Sequence, residues 1–334
     1  MKIIITGGGT GGHIYPGLSV GLDLVEKGWE ELYIGSVDGL ENTIIPQNNL
    51  QFKSVTVAPL PRKITPALFT SVIKNGKGFF QARKLIKEFK PDIVLGTGGF
   101  VAGSVVLAAS LMGIPTMIHE QNVYPGITNR LLSRVVDRIA LNFADARKYF
   151  PERVENKTVI TGNPIRKIIL NTDKKTGLKQ LELDPSKKTL LVFGGSQGSV
   201  SINQAMMRVY KNFLGKNIIQ IVHITGKKNY EDMIEKINEK YSIKVNEYDY
   251  IKIMPYLEHI EWAYAVADLI VYRAGATGLA EITAKGLPAI LIPYPHAAGN
   301  HQLYNAKMME SHDAAEVIRE KNISGDLLYN KIKD

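Results

Sequence analysis

Ile3-Ile4-Ile5-Thr6-Gly7-Gly8-Gly9-Thr10-Gly11-Gly12-His13 opens the chain, and Leu190-Leu191-Val192-Phe193-Gly194-Gly195-Ser196-Gln197-Gly198-Ser199 follows the same plan in the second half. Each is a short apolar run that ends in glycines and opens into a helical pattern. Glycine permits a sharp turn and lets a phosphate come close to the main-chain amides. The helix that follows aims its unsatisfied N–H groups and the positive end of its dipole at the same point. Two such turns predict two phosphorylated ligands facing each other across a cleft.

A fainter echo surrounds the pair. Ile93 to Leu95 reads as a strand, followed by Gly96-Thr97-Gly98-Gly99, a helical stretch, Gly113-Ile114-Pro115 and another strand. Leu269 to Tyr272, Arg273-Ala274-Gly275-Ala276-Thr277-Gly278, a helix and Gly286-Leu287-Pro288 run in the same order. The remaining expected strands are Lys2 to Thr6, Glu31 to Ile34, Phe52 to Val57, Thr116 to Ile118 and Arg138 to Ala140 in the first half. In the second half they are the run from Thr189, Ile218 to Ile224, Ile251 to Ile253 and Ala289 to Ile292. Strands alternating with helices predict an α/β protein with parallel sheets and crossover helices. At 334 residues two domains are the default. We expect two doubly wound, Rossmann-like domains, residues 1–162 and 163–334, joined near Asn163-Pro164-Ile165-Arg166, with a connector at Asn171 to Lys188 that holds one short helix.

The composition is that of a soluble globular protein, 45% hydrophobic and 22% charged. The absence of cysteine excludes disulfides and thiolate metal sites. The chain starts on a strand with no secretory leader, so a cytoplasmic location is expected. The uncharged run Ile93 to Ile118 is long enough to span a bilayer, but its glycines and Pro115 favour strand, turn, buried helix, strand. A net charge of +9 suggests an anionic partner. Much of the excess is local. Between Arg62 and Lys87 stand seven basic residues, among them Lys74 and Lys77, and no acidic one. Leu68, Phe69, Val72, Ile73, Phe79 and Phe80 are interleaved with them, the first four on one helical face. An apolar face with basic flanks fits the surface of an anionic membrane; the alternative is a helix packed on its own domain. No nucleic-acid motif is visible.

Several residues carry candidate chemistry. Gly7-x-Gly9-x-x-Gly12 matches the dinucleotide fingerprint, but Ser36 and Val37 precede Asp38 where an acidic residue would close the second strand, so a dehydrogenase is not expected. His13 follows the first turn at a helix start, where the dipole favours the neutral ring; it suits a general base or a donor to a diphosphate, against a plain capping role. Ser196 to Ser199 would form a phosphate nest, with Ser201 and Gln204 as a capping box beyond it. Arg273 at a strand end suits a diphosphate clamp or an interface salt bridge. Glu281 suits a ribose or is a solvated helix residue. His119-Glu120-Gln121-Asn122 closes a strand with four polar side chains, a pattern that lines sites. His296 and His301 on a small-residue loop do not make a metal site, and no metal or cofactor is expected.

Together these stretches resemble the MurG family of glycosyltransferases. The residues that carry the likeness are Gly7 to His13, His119 to Asn122, Gly162 to Arg166, Gly194 to Gly198, Arg273 to Ala276 with Glu281, and His301-Gln302-Leu303-Tyr304-Asn305-Ala306. The resemblance runs from Met1 to about Ile318. It implies a GT-B architecture and an inverting transfer of N-acetylglucosamine from UDP-N-acetylglucosamine to the undecaprenyl-diphosphate-linked muramyl-pentapeptide. By matching positions, Arg166, Ser196, Gln197, Gly198, Arg273 and Gly275 would serve the donor's nucleotide and phosphates. Leu257 would contact the uracil and Glu281 the ribose. Asn122 and Gln302 would contact the sugar, with Thr10, Gly11, Gly12 and His13 adjoining the donor. The acceptor would meet Gly9, Gly12, His13, Gly98, Gly99, Phe100 and Glu120. His13, with Asn122, would carry the catalysis, and Leu68 to Phe80 would meet the cytoplasmic face of the cell membrane as a peripheral anchor.

Two departures stand out. Family chains usually continue into a C-terminal helix that crosses back to the first domain; here only Ser324 to Asp334 follow Ile323, so that brace is expected to be short or missing. The loop before Gln302 reads Ala297-Ala298-Gly299-Asn300-His301, where the family often has charged residues and a paired glutamine. Rival readings are a diacylglycerol glycosyltransferase, a UDP-N-acetylglucosamine 2-epimerase and a non-catalytic UDP-sugar binder.

Overall fold

In a β-strand alternate side chains leave opposite faces, so a strand covered by helices on both sides must be apolar at every position. The first strand does this with Ile3 and Ile5 on one face and Ile4 on the other, and the eighth with Leu191 and Phe193 opposed to Leu190 and Val192. A computed structural model describes residues 1–59, 66–195, 197–216, 218–241 and 248–334. It divides into two compact units, Met1–Arg166 and Lys167–Asp334.

The first unit runs β1 (Lys2–Gly7), α1 (Gly11–Glu26), β2 (Glu30–Ser36), α2 (Glu41–Gln47), β3 (Phe52–Val55), α3 (Pro66–Phe89), β4 (Ile93–Gly98), α4 (Gly99–Leu111), β5 (Thr116–Glu120), α5 (Ile127–Leu132), β6 (Arg138–Leu141) and β7 (Thr158–Ile160). Its seven strands lie in the order β3-β2-β1-β4-β5-β6-β7, all parallel. One face is covered by α1 and α2 through Ile14, Leu18 and Ile45, the other by α3 and α4 through Ala82, Ile86, Val101 and Val105. The uncharged run from Ile93 resolves into β4, α4 and β5. No helix among the described residues is long and apolar enough to cross a membrane.

The second unit runs α6 (Lys167–Asn171), α7 (Lys174–Gln180), β8 (Lys188–Phe193), α8 (Val200–Phe213), β9 (Ile219–Ile224), α9 (Tyr230–Tyr241), β10 (Ile251–Met254), α10 (Ile260–Val266), β11 (Leu269–Tyr272), α11 (Ala276–Ala284), β12 (Ala289–Leu291), α12 (His301–Glu310), β13 (Ala315–Val317) and α13 (Gly325–Lys333). Six parallel strands lie in the order β10-β9-β8-β11-β12-β13. Within the connector, Asp173 caps α7 by accepting from the Thr176 amide at 2.7 Å. The last helix, α13, packs on α8, burying Leu328 and pairing Asp326 with Arg208 at 2.7 Å.

In each sheet the chain reverses its direction of travel at the first strand, β1 between β2 and β4, β8 between β9 and β11. Such a switch point leaves a crevice at the carboxyl ends of two neighbouring strands. Both expected glycine turns leave from these ends.

Candidate active site

The first crevice is formed by two glycine turns in contact. After β1, Gly9 holds φ at +83°; after β4, Gly98 and Gly99 hold +109° and +80°. The Gly8 amide donates to the Gly98 carbonyl at 3.3 Å, and the Phe100 ring covers Gly9. The residues expected at the acceptor, Gly9, Gly12, His13, Gly98, Gly99 and Phe100, therefore gather at two neighbouring turns. Between Thr6 and Gly7 the β1–β4 register slips by one residue, so Thr97 is extra. Bulges of this kind re-aim a side chain beside a site. Here the Thr97 hydroxyl is sent to the His13 carbonyl at 2.7 Å, fixing the start of α1. Thr10 is the residue before α1, in extended conformation, and its hydroxyl makes no capping bond.

Two further side chains support this crevice, the first with no motif to mark it. Glu41, the first residue of α2, is fully buried and accepts from the Ser36 amide at 2.9 Å, the Ser36 hydroxyl at 2.7 Å and the Gly9 amide at 3.2 Å. A Cβ on Gly8 would stand 2.2 Å from the Glu41 carboxylate, so the glycine there makes room for the acid. The other support is Gln121. Its amide nitrogen lies 2.7 Å from the Thr97 carbonyl and 3.1 Å from His119 Nδ1, and its oxygen lies 3.3 Å from His13 Nδ1. His119 is buried, which holds its pKa below the usual histidine range, and its Nε2 meets the Gly162 carbonyl at 3.0 Å.

Glu120, expected at the acceptor, points inward. Its carboxylate accepts from the Asn122 amide at 3.0 Å, the Gly126 amide at 3.0 Å and Asn129 Nδ2 at 2.9 Å. It shapes the loop that carries Asn122 and is itself 1% exposed. Arg166, expected at the nucleotide, lies with the first unit, its guanidinium 4.9 Å from the centre of the Tyr15 ring.

The second crevice follows β8. Ser196 lies outside the described residues. Gly195 and Gly198 hold φ at +87° and +76°. Gly198 faces the end of β9 so closely that a Cβ would stand 1.8 Å from the Thr225 carbonyl. The Asn229 side chain donates to the Gln197 carbonyl at 3.3 Å and to the Thr225 carbonyl at 3.1 Å, tying the turn down. The expected capping box at Ser201 and Gln204 is corrected. The helix starts at Val200, so Ser199 is the cap, accepting from the Ile202 amide at 3.3 Å, and Ser201 falls inside the first turn. Beneath α8 a buried chain links Tyr210, His223, Asn203 and the Thr225 carbonyl. Burial pushes the His223 pKa down to about 3 and the Tyr210 hydroxyl up, so both stay neutral.

Arg273 leaves β11 towards the same place. It is 6% exposed and engaged on three sides, by Glu320 at 2.8 and 3.2 Å, Ser201 Oγ at 3.1 Å and the Ile292 carbonyl at 3.1 Å. Burial works to raise the Glu320 carboxyl, but hydrogen bonds from Arg273 and Ser201 and the Arg273 charge outweigh it, and the group lies below the usual carboxylate range. The salt bridge of Arg273 is made within its own domain, not at the domain interface that one sequence reading expected. Gly275 precedes α11, and its hydrogen leaves space for the Tyr272 hydroxyl, 2.7 Å from where a Cβ would be. Glu281 is 6% exposed on α11 rather than solvated; burial first, then its charge, raises the Tyr272 hydroxyl. Gln302 Oε1 accepts from the Tyr294 amide at 2.9 Å, and Leu257 packs partly buried after β10.

Two parallel-sheet α/β domains, each with a glycine turn at its switch point, have the GT-B fold, and the family models that match them are those of a glycosyltransferase. Residues 3–141 match the glycosyltransferase family 28 N-terminal domain and residues 189–334 its C-terminal domain. The chain belongs to glycosyltransferase family 28 and, within it, to the MurG family. It is 55% identical, over all of its length and 90% of the relative, to the UDP-N-acetylglucosamine–N-acetylmuramyl-(pentapeptide) pyrophosphoryl-undecaprenol N-acetylglucosamine transferase of Halothermothrix orenii. It is 44% identical to the protein of that name from Desulforamulus reducens, over all of this chain and 90% of that one. Among solved structures it resembles Acinetobacter baumannii MurG, with a TM-score of 0.74 and 27% identity over 99% of this chain and 90% of that one. A UDP-GlcNAc 2-epimerase from Neisseria meningitidis, bound to UDP-GlcNAc, shares the fold at a TM-score of 0.67 and 14% identity, over all of this chain and 90% of that one.

Proposed function

We propose that this chain is an inverting transferase that moves N-acetylglucosamine from UDP-N-acetylglucosamine to the muramyl 4-hydroxyl of the undecaprenyl-diphosphate-linked muramyl-pentapeptide. The observation that carries the reading is the end-to-end match to transferases of that name, in a chain whose first domain sets His13 where two glycine turns meet. An oxygen nucleophile of the acceptor attacks the anomeric carbon from the side opposite UDP. Its proton passes to His13, and the bond to UDP breaks with its electron pair leaving on the diphosphate. A general base supplies about 10²–10⁴ in rate. The donor's diphosphate is assigned to the second domain, where the main-chain amides of Gly195, Gln197 and Gly198 and the start of α8 oppose its growing charge. Arg273 contributes from within its pair with Glu320. Glu281 is assigned to the ribose, Leu257 to the uracil, and Asn122 and Gln302 to the sugar.

The membrane is the proposed site of work, through α3. Its inner face is made of small or packed residues, Ser71, Gly78, Ala82 and Ile86, while Phe69, Val72, Ile73 and Phe80 are 57 to 72% exposed. An apolar stripe turned outward beside Lys74 and Lys77 supports an anionic bilayer as its partner over the alternative of intradomain packing. Leu68 and Phe79 are only partly exposed. Arg62 and Lys63 lie outside the described residues. The α4 and α5 helices add Leu111, Ile127 and Leu131 with Arg130 and Arg134.

The test supplies labelled UDP-N-acetylglucosamine with a muramyl-pentapeptide lipid diphosphate, with diacylglycerol, or with neither. Label should move only to the muramyl lipid, and His13→Ala should slow this about 10²-fold or more with UDP binding retained. Transfer to diacylglycerol, or UDP release without acceptor, would replace the reading with one of its rivals.

A further inference from the structure

We propose that Gln121, itself oriented by Thr97 and His119, fixes the tautomer of His13 so that Nε2 is the nitrogen left to take a proton; its catalytic meaning rests on the transferase reading above. The amide of Gln121 has one tenable orientation. Three acceptors surround its nitrogen, namely the Thr97 carbonyl at 2.7 Å, His119 Nδ1 at 3.1 Å and the His119 carbonyl at 3.3 Å. An amide oxygen placed there would face lone pairs on every side, so the NH₂ group belongs there and Oε1 faces His13. Oε1 only accepts, so the hydrogen between them is on His13 Nδ1, 3.3 Å away.

The far end of the chain agrees. His119 Nε2 meets the Gly162 carbonyl at 3.0 Å, an acceptor alone, so Nε2 carries the His119 hydrogen and Nδ1 is free to receive from Gln121. Burial holds His119 neutral, outweighing the opposite pull of the Gly162 bond and the Glu120 charge. Each hydrogen bond therefore points the same way, His13 to Gln121, Gln121 to His119, His119 to Gly162. Reversing any one sets two acceptors against each other and leaves a buried group without its hydrogen bond.

A neutral imidazole with its hydrogen on Nδ1 has its lone pair on Nε2. Main chain and ring are each held once more: Thr97 Oγ1 donates to the His13 carbonyl at 2.7 Å, and Gly98 lies against the ring, where a Cβ would stand 2.6 Å from Nδ1. When the acceptor's hydroxyl attacks, its proton goes to Nε2 and the imidazolium keeps its Nδ1 bond to Gln121. Gln121 is 1% exposed and acts through His13, as a positioning residue.

Nitrogen NMR of imidazole-labelled protein reads the tautomer without turnover. With the spectrum taken at a pH well above the usual histidine range, the wild type should show the His13 hydrogen on Nδ1. Gln121→Met should shift the population to the Nε2–H form, lower kcat on the order of 10²-fold and leave the KM for UDP-N-acetylglucosamine unchanged. Gln121→Glu keeps an oxygen facing Nδ1 but sets its second oxygen among the three acceptors that the amide nitrogen serves, so it should not restore the wild-type kcat. A wild-type spectrum with the hydrogen on Nε2 overturns the proposal even if Gln121→Met does not fold, and so does unchanged kcat in that variant. A wild type with the Nδ1–H form but no transfer to the muramyl lipid would leave the tautomer standing and remove the transferase reading instead.

Discussion

Gly99 sits so close to the Gly8 carbonyl that a Cβ on Gly99 would stand 2.3 Å from that oxygen, and it does so at a φ of +80°. The two crossover turns of the first sheet are thus fitted to each other. The substitution Gly99→Ala must pay for left-handed backbone and for displacing a main-chain atom, together about 2 kcal/mol or more. A lowered urea midpoint is expected, with weaker binding of a muramyl lipid analogue and unchanged binding of UDP, whose proposed site lies in the other domain.

Glu31 on β2 is 2% exposed, and burial pushes its pKa up to about 7 against a smaller opposite effect of the Gln51 main chain. The folded state then holds a proton that the unfolded chain releases near 4.5. Its contribution to stability is complete below that pH and is lost as pH rises through about 7, amounting to about 3 kcal/mol at most. Chemical denaturation at pH 5 and pH 8 should show this loss in the wild type. Glu31→Gln should flatten the slope and be the more stable protein at pH 8.

Removing Glu320 separates stability from ligand affinity. Glu320→Ala leaves the Arg273 guanidinium buried without its carboxylate, a loss of about 2 kcal/mol given that Glu320 is partly solvated. The freed guanidinium is then available to a diphosphate, so calorimetry should find UDP bound about threefold to tenfold more tightly. A variant that loses stability with UDP affinity unchanged would place Arg273 outside the donor site.

The stripe on α3 calls for a change that leaves the fold intact. Replacing Phe69, Ile73 and Phe80 with serine touches exposed side chains only, so each should alter stability by no more than about 0.5 kcal/mol. Partitioning onto anionic vesicles should fall by about tenfold or more, since even partial burial of such side chains is worth about 1 kcal/mol apiece. Lys74→Glu and Lys77→Glu should weaken the same binding in a salt-dependent way.

Much of this architecture was legible because parallel sheets write themselves as apolar runs broken by glycine. β1, β4, β8 and β11 lie where such runs predict them. β7 and β13 escaped notice because each is three residues long at a sheet edge, and Ala315-Glu316-Val317 has no apolar run at all. The site was legible to the extent that backbone chemistry defines it, in Gly9, Gly98, Gly99 and Gly198. It was illegible where one side chain supports another across a long stretch of sequence. Nothing near Glu41 marks it as the acid beneath Gly8, and Glu320 stands 47 residues from the arginine it holds. Gln121 was visible only as one of four polar residues, because its role comes from Thr97 and His13, which the fold brings to it.

Every strand pairing in both sheets is parallel. Among the described residues no two neighbouring strands are joined by a tight hairpin, so each ladder waits for an intervening crossover to close. Sequence-distant contacts of this kind make for slow assembly, during which runs such as Leu190 to Phe193 stand bare. Refolding from denaturant should therefore succeed best when dilute and cool.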